Sequence, residues 1–190
     1  MENNENIENE NVKEEINKEQ KPNKIKKYFN YLFYIAVIAV AFAYFYRNIP
    51  KKGPAYYFQT TNIRDEKVDL NQYKGRVILL DFWGVWCPPC RKMLPKLVKL
   101  NSEYKSKGVS IIGVHVVSGF RGNSFTQKFS KNYKLNYPIW TSTREIEQKY
   151  HIKSYPTMVI IGKKGQIREV IVGTQSERKV RKIFDILLAE

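Results

Sequence analysis

Cysteine is scarce. The 190-residue chain has two, Cys87 and Cys90. No network of disulfides can staple such a fold, and any disulfide is Cys87–Cys90 or intermolecular. Histidine is equally scarce: His115 and His151 lie far from the cysteines in sequence. A closed structural zinc site takes four ligands, and no second cysteine pair completes one. No cofactor is therefore expected beyond the thiols themselves. No internal repeat is visible. Acidic residues are short too, 18 against 33 Lys and Arg, a formal net charge of +15. Residues 1–50 carry seven of each sign, so the whole excess falls in residues 51–190. A basic domain suits nucleic acid, an anionic membrane surface or acidic partners. Here the lysines are scattered rather than striped, which reads as a solvated face, and no nucleic-acid partner is expected.

Residues 1–27 have almost no apolar side chains. They cannot bury enough surface to offset the entropy of ordering and are expected to be a disordered tail. From Tyr28 to Tyr46 no charge interrupts an apolar run with tyrosines near both ends. At ~1.5 Å per residue it reaches about 28 Å, close to the ~30 Å of a hydrocarbon core, so residues 28–46 are expected to be a transmembrane helix. Lys13, Lys18, Lys21, Lys24, Lys26 and Lys27 precede it, whereas Arg47, Lys51 and Lys52 follow. That bias puts the N-terminus in the cytoplasm and the large domain outside it. A cleaved signal peptide is the rival reading, since Ala39-Val40-Ala41 and Ala41-Phe42-Ala43 fit a small-x-small site. The long acidic region ahead of the run argues against it.

Residues 47–55, with Pro50, Gly53 and Pro54, read as a linker, and residues 56–190 as the folded domain. The patterning predicts a short hairpin (56–60 with 67–70), buried strands at 76–83 and 109–117, and helices at 88–107, 123–134 and 143–150. A second hairpin (157–161 with 166–172) and a final helix at 176–188 follow. The order implies an α/β domain with a mixed sheet flanked by helices.

The Trp86-Cys87-Pro88-Pro89-Cys90 box lies where a strand ends and a helix begins. Two thiols so spaced suit exchange with a partner's thiols. The helix N-terminus favours a thiolate at Cys87. Pro88 and Pro89 have no N–H, which leaves those of Cys90 and Arg91 as donors. Arg91 and Lys92 add positive charge. Cys87 is expected to attack and Cys90, one turn deeper, to resolve the mixed disulfide. Asp81 interrupts an otherwise apolar strand. A buried carboxyl has a raised pKa and can take the proton of Cys90. A zinc or Cu(I) site is the alternative for the pair.

The run from Val77 to Pro95 resembles thioredoxin-like proteins, and the wider chain resembles the TlpA/ResA/DsbE branch of membrane-anchored thiol-disulfide oxidoreductases. The matching pieces are Leu70–Val77, Asp81, Phe82-Trp83, the box with Arg91 and Pro95, Lys149–Ile152, Ser154–Thr157, Gly165-Gln166 and Val172–Thr174. The resemblance implies a thioredoxin fold after the transmembrane helix. It implies a cis-proline at Pro156 facing the box, with Tyr155 bordering the partner groove where a small or aliphatic residue is more usual. Trp86 would line the docking surface. The branch often has an acid three residues after the second cysteine; Met93 stands there, which leaves proton handling to Asp81. The implied function is exchange with exported protein thiols, reduction of apocytochrome c in particular, fed by a transmembrane thiol-electron donor. A general oxidase or isomerase of exported proteins, a tethered Cu(I) chaperone and a basic scaffold are the alternatives.

Overall fold

The computed structural model describes residues 24–48, 53–116 and 122–190, with side chains of the first helix described over 28–41. The chain divides into two compact units, Met1–Ile49 and Pro50–Glu190.

In the first unit, helix α1 runs Lys24–Asn48. It begins ahead of the expected 28 and continues past 46, because no proline or glycine interrupts it before Pro50. Of the expected tail, residues 1–23 lie outside the described residues, as do 49–52 of the linker. The described face is apolar and exposed: Phe29 is 72%, Leu32 62% and Val40 70% accessible. Among the described residues no helix is long and apolar enough to cross a membrane.

The second unit opens with β1 (Gln59–Thr61) and β2 (Lys67–Asp69), paired antiparallel. Then follow β3 (Val77–Trp83), α2 (Pro88–Tyr104), β4 (Val109–His115) and α3 (Asn123–Asn132). After them come β5 (Ile139–Thr141), α4 (Arg144–Lys149), β6 (Thr157–Ile161), β7 (Ile167–Val172) and α5 (Glu177–Ala189). The five-stranded sheet has the order β5-β4-β3-β6-β7. Strand β3 runs parallel to β4 and antiparallel to β6. This is the mixed α/β sheet that the patterning predicts. All seven residues of β3 and of β4 are buried. Strands covered on both faces need apolar side chains on both, which is why the sequence shows continuous rather than alternating runs there.

Side chains of one face of the sheet join α2 and α5. Val77, Leu79 and Trp83 meet Leu94, Leu97, Leu100, Val180, Phe184 and Leu187. Each such burial contributes about 1.5–3 kcal/mol. The other face packs Ile78, Leu80 and Phe82 on Phe58, Trp140 and Tyr150. Gly108, at φ +102°, turns the chain from the end of α2 into β4, a conformation that favours glycine.

Several local expectations differ from the structure: the first strand is Gln59–Thr61 rather than 56–60, and α2 ends at Tyr104 with a 3-10 turn over Lys105–Lys107. Residues 139–141 form an edge strand that the patterning does not reveal, since three residues after Pro138 are too short to show a period. Helix α3 stops at Asn132, with Lys134 in a left-handed conformation (φ +52°). Its N-cap position is taken by Gly122, without a side-chain bond. By contrast Thr143 and Ser176 cap α4 and α5, accepting from Ile146 N at 3.2 Å and Lys179 N at 3.3 Å.

Candidate active site

Cys87 ends the loop that follows β3 and is the N-cap of α2, with Pro88 and Pro89 in the first turn. The prolines cost nothing there, because the first N–H groups of a helix have no intrahelical partner. Cys87 and Cys90 form a disulfide across that turn. The Cys90 N–H donates to Cys87 Sγ at 3.3 Å. The Arg91 N–H does not; it donates to the Cys87 carbonyl at 3.3 Å, as an ordinary helical bond. One of the two donors expected for the sulfur therefore serves it. The Arg91 side chain turns away too, donating to the Val85 carbonyl from Nε at 3.0 Å and Nη2 at 2.7 Å. It ties the loop to the helix, and its charge acts on the sulfur only at a distance. Cys87 keeps 3% of its surface accessible and Cys90 none. Cys87 is thus the less buried of the pair.

Asp81 lies under the box. Alternation along β3 puts it on the same face as Leu79 and Trp83, which share a cluster with Cys87 and Cys90. It is fully buried, and neither carboxyl oxygen has a hydrogen-bond partner among the described residues. Burial pushes its pKa up to about 7. A charged carboxylate loses its hydration there and gains nothing in return, so the neutral acid is favoured. A group titrating near neutral pH can accept a thiol proton and release it again.

The bond between Tyr155 and Pro156 is cis. Strand pairing puts Thr157 opposite Phe82, so Pro156 stands level with Trp83, at the end of β3 that leads into the box. The Pro156 carbonyl accepts from Gly173 N at 2.8 Å, joining this turn to the end of β7. Tyr155 packs edge-on to Trp86, with ring centroids 5.4 Å apart. Its hydroxyl donates to Glu147 Oε2 at 2.9 Å. Trp86 is 40% exposed, and its ring lies so close over Gly84 that a Cβ there would stand 2.6 Å from it. Trp86, Pro88, Pro89 and Tyr155 therefore make an aromatic and proline rim beside the disulfide. Met93, where the branch often has an acid, is fully buried, and its sulfur accepts from Gln175 N at 3.3 Å.

Sequence reasoning names the cysteines, Asp81, Trp86, Tyr155 and Pro156, and the fold gathers them at one end of β3. It does not name Glu147, which holds the Tyr155 ring in place, or Gln175. Both act through contacts between segments far apart in the chain, and no local pattern signals them. His115 is buried in β4, its Nε2 3.4 Å from Thr126 Oγ1. Burial lowers its pKa to about 4, so the ring is neutral at pH 7. Among the described residues, no group of three or more His, Cys, Asp or Glu is placed to hold a metal ion.

Residues 52–170 match the AhpC/TSA family. The chain belongs to that family. Similar proteins include the thiol-disulfide oxidoreductase ResA of Halalkalibacterium halodurans, 31% identical over 176 residues, which are 88% of this chain and 98% of that one. ResA of Bacillus subtilis is 30% identical over 138 residues, 71% of this chain and 73% of that one. Among solved structures, a thiol:disulfide interchange protein of the thioredoxin family from Chlorobium tepidum superposes with a TM-score of 0.66. It has 24% identity and covers 73% of this chain and 97% of its own, and this likeness speaks for the fold. The resemblance to the ResA/DsbE branch holds. This AhpC/TSA-family protein is a thioredoxin-fold thiol-disulfide oxidoreductase, and the Cys87–Cys90 disulfide is the redox pair its fold presents.

Proposed function

We propose that the protein is anchored in a membrane by α1, with its catalytic domain outside the cytoplasm, and reduces disulfides of exported proteins, apocytochrome c among them. The observation that carries the chemistry is Cys87 as the N-cap of α2, bonded to the Cys90 N–H, with unpartnered Asp81 beneath. In the reduced protein the Cys87 thiolate attacks a substrate disulfide and forms a mixed disulfide. The Cys90 thiol then gives its proton to Asp81 and attacks Cys87 Sγ. The substrate leaves with both sulfurs reduced, and two electrons have passed from the pair to it. Outside the cytoplasm disulfides form by default. A reductant there has to be recharged with two electrons, which calls for a transmembrane thiol donor.

The described side chains of α1, residues 28–41, are too few to cross a membrane by themselves; the anchor reading is supported by their exposed apolar face together with the uncharged run that continues in the sequence to Tyr46. A helix with Phe29, Leu32, Ile38 and Val40 largely accessible would be costly in water and suits hydrocarbon. Lysines concentrated ahead of the apolar run support the orientation. The ResA relatives support thiol exchange.

The test replaces Cys90 with Ser in cells. Without a resolving thiol, mixed disulfides through Cys87 accumulate, and diagonal gels should show exported proteins, c-type apocytochromes among them. Trapping the wild-type pair by alkylation should find it mostly reduced. An oxidised pair would sink the reductant reading and favour an oxidase. Absence of any Cys87 adduct would sink exchange itself.

A further inference from the structure

The layer around Asp81 contains a second buried group without a partner. Tyr137 comes just before β5 and is 5% exposed, and its hydroxyl bonds to nothing among the described residues. Buried hydroxyls are nearly always bonded, so an orphan beside a reactive carboxyl calls for a function. Glycine explains how Tyr137 comes so close. Asp81 pairs with Gly113 of β4, and paired residues point to the same side of a sheet. A Cβ on Gly113 would meet Tyr137 Cε2 at 3.3 Å, Trp83 Nε1 at 2.9 Å and Ile139 Cδ1 at 2.7 Å. The missing side chain lets the tyrosine ring and the indole settle onto the β4 backbone, next to the carboxyl. The Asp81 charge in turn helps raise the Tyr137 pKa, after burial, the larger cause. The phenol is thus neutral whenever Asp81 titrates.

We infer that Tyr137 is a positioning residue for the thiol-disulfide reaction: its hydroxyl is the partner of the Asp81 carboxyl through one bridging water, as the acid takes up and gives back the proton of Cys90. A hydroxyl both donates and accepts, so it can bond the ionised and the protonated acid, and its bond to the ionised acid, being charge-assisted, is the stronger. The indole N–H of Trp83, also unpartnered, only donates and cannot accept the O–H of the protonated acid. Tyr137 also lines a groove with Ser130, Gln127, Lys131 and Lys134. It therefore stands between the acid and solvent, on the side of α3. There the proton reaches water without passing the disulfide and any bound partner.

The groups facing Asp81 are few. Helix α2 brings Cys87 and Cys90, β4 brings His115, and the segment before β5 brings Tyr137. Strand β6 brings Met158, opposite Asp81, and α5 brings only apolar side chains. Helix α3 brings Thr126, Ser130 and Phe129; the last separates the Arg91 guanidinium, 5.9 Å from its ring, from Trp83. Among the described residues, Tyr137 is the one titratable group on that face, apart from the redox pair, whose charge balance is tied to Asp81.

The inference rests on Asp81 acting as the acceptor for Cys90, and the experiment separates the two. The reduced full-length protein is oxidised by glutathione disulfide from pH 5 to 9, as wild type and as Tyr137→Phe, Asp81→Asn and the double variant. A donor that stabilises the ionised acid lowers its pKa. Tyr137→Phe should therefore move the Asp81-dependent inflection up by about one pH unit. It should have no further effect when combined with Asp81→Asn. An unmoved inflection in Tyr137→Phe, with Asp81→Asn abolishing it, would overturn the role of Tyr137 alone. An inflection that survives Asp81→Asn would overturn the role of Asp81. In the wild type, carbon NMR of the Tyr137 ring should show a step at the Asp81 titration. Its absence refutes the pairing even if Tyr137→Phe does not fold.

Discussion

Asp81 is a cost to the folded protein, and its removal should show that cost. Its carboxyl titrates at about 7 when folded, against the ordinary 3.8. At ~1.4 kcal/mol per pH unit, a shift of this size amounts to about 4 kcal/mol. Below pH 3.8 the group is protonated folded and unfolded alike and contributes no difference. Between 3.8 and about 7 the folded state keeps a proton that the unfolded state has released. The unfolded chain then binds fewer protons, and stability falls as pH rises. Above about 7 the loss is complete. Asn at this position is neutral at every pH and meets the same surroundings as the protonated acid, so it should match the wild type near pH 4.5 to within ~1 kcal/mol. At pH 8, Asp81→Asn should be more stable by about 2–4 kcal/mol. Guanidinium unfolding of the oxidised full-length protein in detergent, followed by tryptophan fluorescence at both pH values, measures the difference. The other ionisable groups are common to both proteins and cancel. A gap between the two proteins that stays the same at about pH 4.5 and pH 8 would refute the reasoning.

The remaining expectations concern the same face of the sheet. Gly113→Ala places a methyl 2.7 Å from Ile139 Cδ1 and 2.9 Å from Trp83 Nε1; overpacking of this kind costs about 1–3 kcal/mol, and an unchanged melting temperature would show that the layer yields more readily than its packing implies. The His115 ring, with its pKa lowered to about 4 from 6.5, should remain neutral at pH 5.5 by NMR. Its contribution to stability is full above about pH 6.5 and is lost as pH falls toward 4. A ring that titrates at its ordinary value would mean that water reaches this part of the core.

Much of the site is legible because its chemistry is local. The two prolines fix the first turn of α2, Cys87 precedes them as the cap, and Cys90 follows one turn later. That fixes the outer and inner sulfurs through chain geometry alone. Asp81 stands out because an acid in an apolar strand contradicts its surroundings. Pro156 is recognised through family likeness rather than through any local signal. The reading fails where a role depends on contact across the chain. Arg91 looks like a charge for the thiolate, yet its guanidinium is held by the Val85 carbonyl. Three residues of edge strand after Pro138 carry no period, so β5 is not visible, and with it goes the reason for Tyr137 to be buried. Thr143 and Ser176 are found as helix-opening residues, whereas the start of α3 is set by Gly122 and offers no side-chain signal.

The sequence by itself determined which sulfur is the outer one and which the inner. Two cysteines one helical turn apart can form only one local pair, and a helix N-terminus stabilises the first of them whatever surrounds it. The tertiary structure alone decided the environment of the proton. Asp81 meets Gly113 because β3 and β4 pair in that register, and Gly113 admits Tyr137 and Trp83 because it has no side chain to keep them away. Hydrogen bonding and dehydration act through space, over a few ångströms, between residues far apart in the chain. Such distances exist only once the sheet has formed.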